Sequence, residues 1–178
     1  MDKTDEGLLF EGMLPVSFQR VDNFPDLDQF AFINEENENL LRTSLIWYES
    51  AEVDEHDEIS LELRRQDLKI TLLLDMVGEL LRQQIKFLPP IMLKLTARGL
   101  ECTTSPAINE PGEKVKIALY ITPSTPRALK LYGEVREMDA DDRVTIGFVG
   151  VSQVVHDCME KIIFRHHRRA IAQGLASK

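Results

Sequence analysis

Leu72–Gly99, LLLDMVGELLRQQIKFLPPIMLKLTARG, changes period in its middle, and that change decides the fold. Up to Phe87 the apolar positions return about every 3.5 residues, the spacing of a helix packed along a seam. Beyond Pro90 they return every second residue. Ile91, Leu93 and Leu95 alternate with Met92, Lys94 and Thr96, the pattern of a strand with one buried face. Pro89-Pro90 makes the break, because neither residue has the amide hydrogen that a continuing helix needs. A helical region, residues 26–88, is thereby set apart from a sheet region, residues 89–178.

The helix that ends at the prolines begins near Glu58. Ile59, Leu63, Ile70, Leu73, Val77 and Leu80 form one stripe, widened by Leu74 and Leu81 and interrupted by Gln66 and Gln84. Leu61, Leu68, Leu72 and Met76 form a second set on a neighbouring face. A helix of about 30 residues is roughly 45 Å long, about half again the width of a small domain. Such a rod can lay one broad stripe on the preceding helix, or it can build a bundle between copies of the chain. The second stripe favours the bundle.

Residues 26–50 also read as a helix, with Asp26 or Asp28 as its N-cap. Ile33, Leu40 and Trp47 recur at heptad spacing, flanked by Phe30, Leu41 and Tyr48, with Asn37 and Ser44 inside the seam. Polar seam residues such as Asn37 and Gln66 are expected to fix register and copy number at some cost in stability. Residues 1–25 read as a leader holding one short strand. There Leu14, Val16 and Phe18 alternate with Pro15, Ser17 and Gln19, and the prolines Pro15 and Pro25 point to a sheet edge.

Downstream of Thr96 the alternation repeats. Leu100-Glu101-Cys102 starts an extended piece, and Asn109–Glu113 is a turn signal. Val115, Ile117, Leu119 and Ile121 alternate, as do Leu129, Leu131, Gly133 and Val135, and a last strand runs from Val144 to Val151. Short strands separated by such turns predict an antiparallel barrel or sandwich. A closing helix over 152–172 is capped by Ser152 and buries Val155, Met159, Ile162 and Ile163.

Composition removes several function classes. The chain has 178 residues, 43% hydrophobic and 29% charged, with a net charge of −9. Residues 1–60 hold 3 Lys/Arg against 16 Asp/Glu, whereas 161–178 hold five basic residues and no acidic one. An acidic head and basic tail can attract each other within an assembly, or the tail can meet an anionic partner. Nucleic acid is not an expected partner, because its phosphates would face a net-negative surface. No apolar run approaches the ~18 residues of a membrane span, so no membrane insertion is expected. The acidic start lacks the features of a signal peptide, and Cys102 and Cys158 form no framework, so a cytoplasmic location is expected.

Catalytic constellations are not apparent. His166 and His167 are neighbours that point apart on a helix, a poor metal pair, and no metal is expected. Cys158 beside His156 reads as a helix-face cysteine rather than a nucleophile. There is no Gly-rich phosphate loop, and no enzymatic activity is expected.

From Lys94 onward the layout resembles the PilZ domain family, bacterial cytoplasmic modules of which many bind the second messenger cyclic di-GMP. The matching pieces are Lys94–Leu100, Glu110–Val115, Leu131–Val135, Ile146-Gly147-Phe148 and the terminal helix Val155–Arg169. The preceding helices look like those of the tetrameric, coiled-coil-bearing PilZ type known from plant-pathogenic gammaproteobacteria. The resemblance implies an α+β fold: a six-stranded antiparallel barrel with a C-terminal helix, plus two long N-terminal helices forming an oligomerising coiled coil or bundle.

Two family motifs carry the ligand. The first, Arg-x-x-x-Arg, suits guanine and phosphate because a guanidinium forks to O6 and N7 and neutralises charge. Here the arm offers Arg82 with Lys86 inside the helix, Arg65 with Lys69, and a lone Arg20; Arg165 and Arg169 have the spacing but lie at the other end of the chain. The second motif, Asp/Asn-x-Ser-x-x-Gly, becomes Lys94-Leu95-Thr96-Ala97-Arg98-Gly99. Thr96 keeps a hydroxyl and Gly99 the turn, but Lys94 puts an obligate donor where an acceptor belongs. The resemblance therefore implies a non-enzymatic homo-oligomeric scaffold, four copies, serving cyclic di-GMP-linked signalling in motility, virulence or secretion. Its partners would be its own copies and other signalling proteins, and no cofactor is called for. The alternative is a cyclic di-GMP receptor with an altered site using Lys94, Arg98 and Arg20.

Overall fold

A computed structural model describes residues 8–49, 62–63, 65–73, 76–77, 88–103, 108, 110–121, 127–139 and 143–176. The elements are β1 (Phe10–Arg20), α1 (Leu27–Glu49), β2 (Pro90–Thr96), β3 (Gly99–Thr103), β4 (Lys114–Leu119), β5 (Leu129–Met138), β6 (Arg143–Val149) and α2 (Gln153–Ala176). Between α1 and β2, residues 62–63, 65–73 and 76–77 are helical. The six strands close into an antiparallel barrel in the order β1-β2-β3-β6-β5-β4. Alternation fills it: Leu93, Leu95, Ile117, Leu119 and Leu131 are buried, whereas Lys94, Thr96, Ala118, Lys130 and Tyr132 beside them are not.

The edge expected for the first strand is not there. β1 is longer than the alternation over 14–21 predicts, and it pairs on both sides. Phe10–Pro15 lie against β2 and Val16–Arg20 against β4. Pro15 stands where the strand changes partners: it faces Pro90 in the last β1–β2 pair, and its carbonyl accepts from Tyr120 N at 3.1 Å. A residue without an amide hydrogen is tolerated there because the ladder on that side is ending. Glu11 and Gly12 hide the strand's first residues from a search for alternation, but the Phe10 ring fills the space a Gly12 side chain would take.

α1 also departs from expectation. Its seam is used inside the chain, against α2 and β5. Asn34 Oδ1 accepts from Ser152 N at 3.0 Å, and Asn34 Nδ2 donates to Gly150 O at 2.8 Å. At the far end Arg165 Nη1 donates to Leu45 O at 2.8 Å. Those two contacts make α1 and α2 parallel, which brings the negative ends of both helix dipoles together. Arg165 answers that charge by donating to its neighbour's carbonyl.

Asn37 is therefore not a register residue between chains. It is 2% exposed, donates from Nδ2 to Lys130 O at 2.8 Å and accepts from Lys130 N at 3.0 Å. The side-chain amide pairs with the N–H and C=O of one β5 residue as a neighbouring strand would. Leu41 and Ser44 are buried on the same side, while Lys130 Nζ reaches Glu36 at 2.8 Å. Gly150, with φ +71°, takes a backbone conformation that side chains disfavour and lies against the Phe30 ring, which also meets Tyr132 edge-on.

α2 buries Val155, Met159, Ile162 and Ile163, and the last two line a small crevice with Phe10, Leu14 and Leu95. Phe164 faces outward under Arg168. The helical residues 62–77 behave oppositely: Leu63, Leu68, Ile70, Leu72, Leu73, Met76 and Val77 are all at least half exposed. Ile59 and Leu80, which belong to the same sequence stripe, lie outside the described residues, as do Arg82 and Lys86.

Candidate functional site

The β2–β3 hairpin holds the motif residues, with Lys94 inside β2 and Thr96, Arg98 and Gly99 at its turn. Thr96 Oγ1 accepts from Gly99 N at 3.1 Å and Arg98 N at 3.3 Å, and donates to Gly99 O at 3.2 Å. A hydroxyl two and three residues ahead of the amides it satisfies is a local turn lock. Gly99 has no room for a side chain, since a Cβ would overlap the Ile146 carbonyl oxygen. Arg98 O accepts from Phe148 N at 2.8 Å. His156 Nδ1 lies 2.7 Å from Ala97 O; a carbonyl only accepts, so Nδ1 carries the hydrogen. The turn is thus bound to α2 as well as to β6.

Lys94 is engaged by its own barrel. Its cross-strand partner is Glu101, whose Oε1 lies 3.3 Å from Lys94 Nζ and 4.0 Å from Arg143 Nη1. Arg20 pairs with Glu113 at 2.9 Å, a carboxylate that is only 7% exposed. The structure therefore brings Thr96, Arg98 and Gly99 into one turn, and gives Lys94 and Arg20 different acidic partners.

The register extends this turn into a row across the outer barrel face. Thr96 pairs with Gly99, Gly99 with Gly147, Gly147 with Glu134, and Glu134 with Lys114. Two facing glycines leave backbone without side chains of its own, and Arg136 covers the Gly147 end: a Cβ on Gly147 would overlap the Arg136 Nε. Arg136 sits where the β5–β6 pairing slips between Val135 and Glu137, so it falls outside the simple alternation of β5. Sequence reasoning did not pick out Arg136, and met His156 only as the neighbour of Cys158. Consecutive polar residues Arg136 and Glu137 after strict alternation are the signal that points to a bulge.

The two thiols are not poised for chemistry. Burial, with Glu101 nearby, pushes Cys102 up to about 11. Burial also raises Cys158, against the opposing pull of Arg42 and Lys161. Both stay protonated at neutral pH. Among the described residues no helix is long and apolar enough to cross a membrane.

Replacing Thr96 with valine should separate a turn role from a ligand role. With two backbone donors left unsatisfied, Thr96→Val should lose about 1–2 kcal/mol in urea unfolding, and Thr96→Ser should restore it. A purely ligand-facing hydroxyl would leave the unfolding midpoint where it was.

A closed six-stranded barrel, its β2–β3 turn held by Thr96 and Gly99 and its C-terminal helix packed alongside, defines a PilZ-type domain. The model of the atypical PilZ domain, described as a cyclic di-GMP receptor, matches residues 45–175, and the chain belongs to that family. β1 and most of α1 lie outside the matched stretch. A solved structure from Xanthomonas campestris is similar over 95% of this chain and 93% of its own, with a TM-score of 0.74 and 25% identity. It is described as a pathogenic protein with a new tetrameric PilZ domain self-assembled via an unusual helical bundle. No curated protein matches in sequence.

Proposed function

We propose that the protein is a non-enzymatic, self-assembling PilZ scaffold that works in the cytoplasm within cyclic di-GMP-linked signalling. Its helices join four copies, and the barrels offer a repeated surface to other signalling proteins in motility, virulence or secretion. One observation carries this reading: a helical segment whose Leu63, Leu68 and Leu72 are more than 60% exposed in the single chain. Side chains of that kind each gain about 1.5–3 kcal/mol on full burial, so an isolated rod of them is unstable against association. The tetrameric relative, assembled through a helical bundle, supports the same reading. Multiplying weak barrel contacts fourfold raises avidity without any new contact.

The standard ligand pose is not part of this proposal. Lys94 presents a donor, already paired with Glu101, and Thr96 is spent on the turn. A second reading, cyclic di-GMP at an altered site, is favoured by the family's description and by two arginines at the Gly99–Gly147 pair, Arg98 beside Gly99 and Arg136 over Gly147.

Light scattering and calorimetry test both. The expected mass is four subunits of 20.4 kDa, and titration with cyclic di-GMP is expected to give no micromolar binding. A folded single subunit in dilute solution would remove the scaffold. Micromolar or tighter binding that disappears in Lys94→Ala would put the altered-site receptor in its place.

A further inference from the structure

The outer sides of α1 and α2 carry matching patterns. Asp28, Phe32 and Glu35 stand on one side of α1, spaced four and then three residues apart, and all three are exposed. Lys161, Phe164 and Arg168 stand on one side of α2, spaced three and then four, and are exposed as well. Read in opposite directions, the two spacings coincide. Antiparallel helices with Phe32 level with Phe164 therefore bring Asp28 level with Arg168 and Glu35 level with Lys161. Within one chain α1 and α2 run parallel, so these pairs can form only between copies.

The charges are available for such a contact. Among the described residues Asp28, Glu35 and Lys161 form no ion pair, and Arg168 lies over the Phe164 ring. The helix dipole explains only Asp28, since its influence fades within the first and last turns. Glu35 lies in the third turn of α1, and Lys161 and Arg168 lie well before the end of α2 at Ala176. The two phenyl rings, 62% and 45% exposed, would form an apolar centre between two pairs of opposite charge. The same register sets Asn39 level with Asp157, a neutral amide against a carboxylate. Its like-charged match, Glu36 with Glu160, is relieved because Glu36 is drawn to Lys130 on β5.

We propose that α1 of one copy docks antiparallel to α2 of a second copy, with Phe32 against Phe164 between the pairs Asp28–Arg168 and Glu35–Lys161. Each copy carries both halves of the match, so no other protein is needed. The outer face of the two helices measures about 35 Å by 20 Å, roughly 700 Å². That falls short of the about 800 Å² that each partner of a stable complex contributes. The contact is therefore weak alone and forms where the helical segment already holds copies together at high local concentration. In this respect it rests on self-assembly through the helices, and the two ideas fail separately.

The test places a photoreactive benzoylphenylalanine at Phe32 in the full chain and mixes isotopically heavy and light copies. Expected are heavy–light products joining position 32 to residues 161–168. Their yield should fall at least fivefold in Glu35→Lys or in Lys161→Glu, each of which sets like charges against each other. Combining the two substitutions should restore it, because the pair then has its signs exchanged. Thermal unfolding should be unchanged throughout, since both side chains are exposed. Products confined to one chain, products elsewhere, none at all, or a combined variant that stays low would overturn the proposal. If Leu73→Asp with Val77→Asp keeps the wild-type mass, self-assembly through the helices is refuted, and with it the local concentration this contact depends on. If that variant dissociates and position 32 gives no heavy–light product in the otherwise unaltered chain, only the α1–α2 contact is lost.

Discussion

Replacing Asn37 with leucine should destabilise the subunit by about 2–4 kcal/mol and leave the number of subunits unchanged. The side chains are close in volume, so packing of α1 is nearly preserved. What disappears is the pair of hydrogen bonds to Lys130, donated at 2.8 Å and accepted at 3.0 Å. Both peptide groups of Lys130 are then covered by an apolar side chain, and each orphaned group costs about 1–3 kcal/mol. For a chain of this length that corresponds to a fall of roughly 5–15 °C in melting temperature. Differential scanning calorimetry reads it directly.

The same variant distinguishes two accounts of Asn37. A polar residue inside an interchain seam limits stability and sets stoichiometry, so Asn37→Leu would then raise the melting temperature and change the mass. A residue that ties α1 to β5 does the reverse. Asn37→Asp adds a check through pH. A carboxylate can accept from Lys130 N but turns its second oxygen on Lys130 O, so the fold disfavours the charged form and holds the carboxyl above its ordinary value of about 3.9. The raised folded-state value means that the variant's stability recovers as pH falls through it and is lost again as pH rises. Wild-type protein has no such dependence from this position, because an amide does not titrate.

The barrel was legible because its signal is local. Leu93 and Leu95, or Ile117 and Leu119, announce a buried face within four residues of chain, and the register follows from which residues must point inward. α1 was legible as a helix but not as to its partner. A heptad seam has the same spacing whether it meets another copy or the chain's own α2, and Asn37 finds Lys130 across 93 residues of sequence. Pro15 misled for a related reason: a missing amide hydrogen marks the end of a ladder, and an edge is only one way for a ladder to end. In the site, Gly99 was readable as a turn glycine, whereas Thr96 was read as the hydroxyl of a ligand motif and its bond to Gly99, only three residues away, was not foreseen. Arg136 was not, because a slip in pairing moves a side chain to a face that alternation assigns to its neighbour.

Introducing Leu73→Asp together with Val77→Asp should take the assembly apart and leave the barrel folded. The two positions are one helical turn apart on one face, and in the single chain they are 61% and 50% exposed. In a free subunit the new carboxylates therefore stay hydrated, and their mutual repulsion costs a few tenths of a kcal/mol. In a bundle they would lie among apolar side chains, where an unpaired charge costs several kcal/mol even after relaxation. Two such charges on every chain amount to a loss of roughly 10⁴-fold or more in association, at 1.4 kcal/mol for each factor of ten. Light scattering should fall toward the 20.4 kDa of one subunit, while the melting transition of the barrel is retained. Because β1–β6, α1 and α2 bury their own core without these side chains, the dissociated variant should also keep its capacity for any ligand at the β2–β3 turn. If it keeps the mass of the wild type instead, Leu73 and Val77 do not form the assembly seam, and the exposed helix must owe its apolar surface to some other partner.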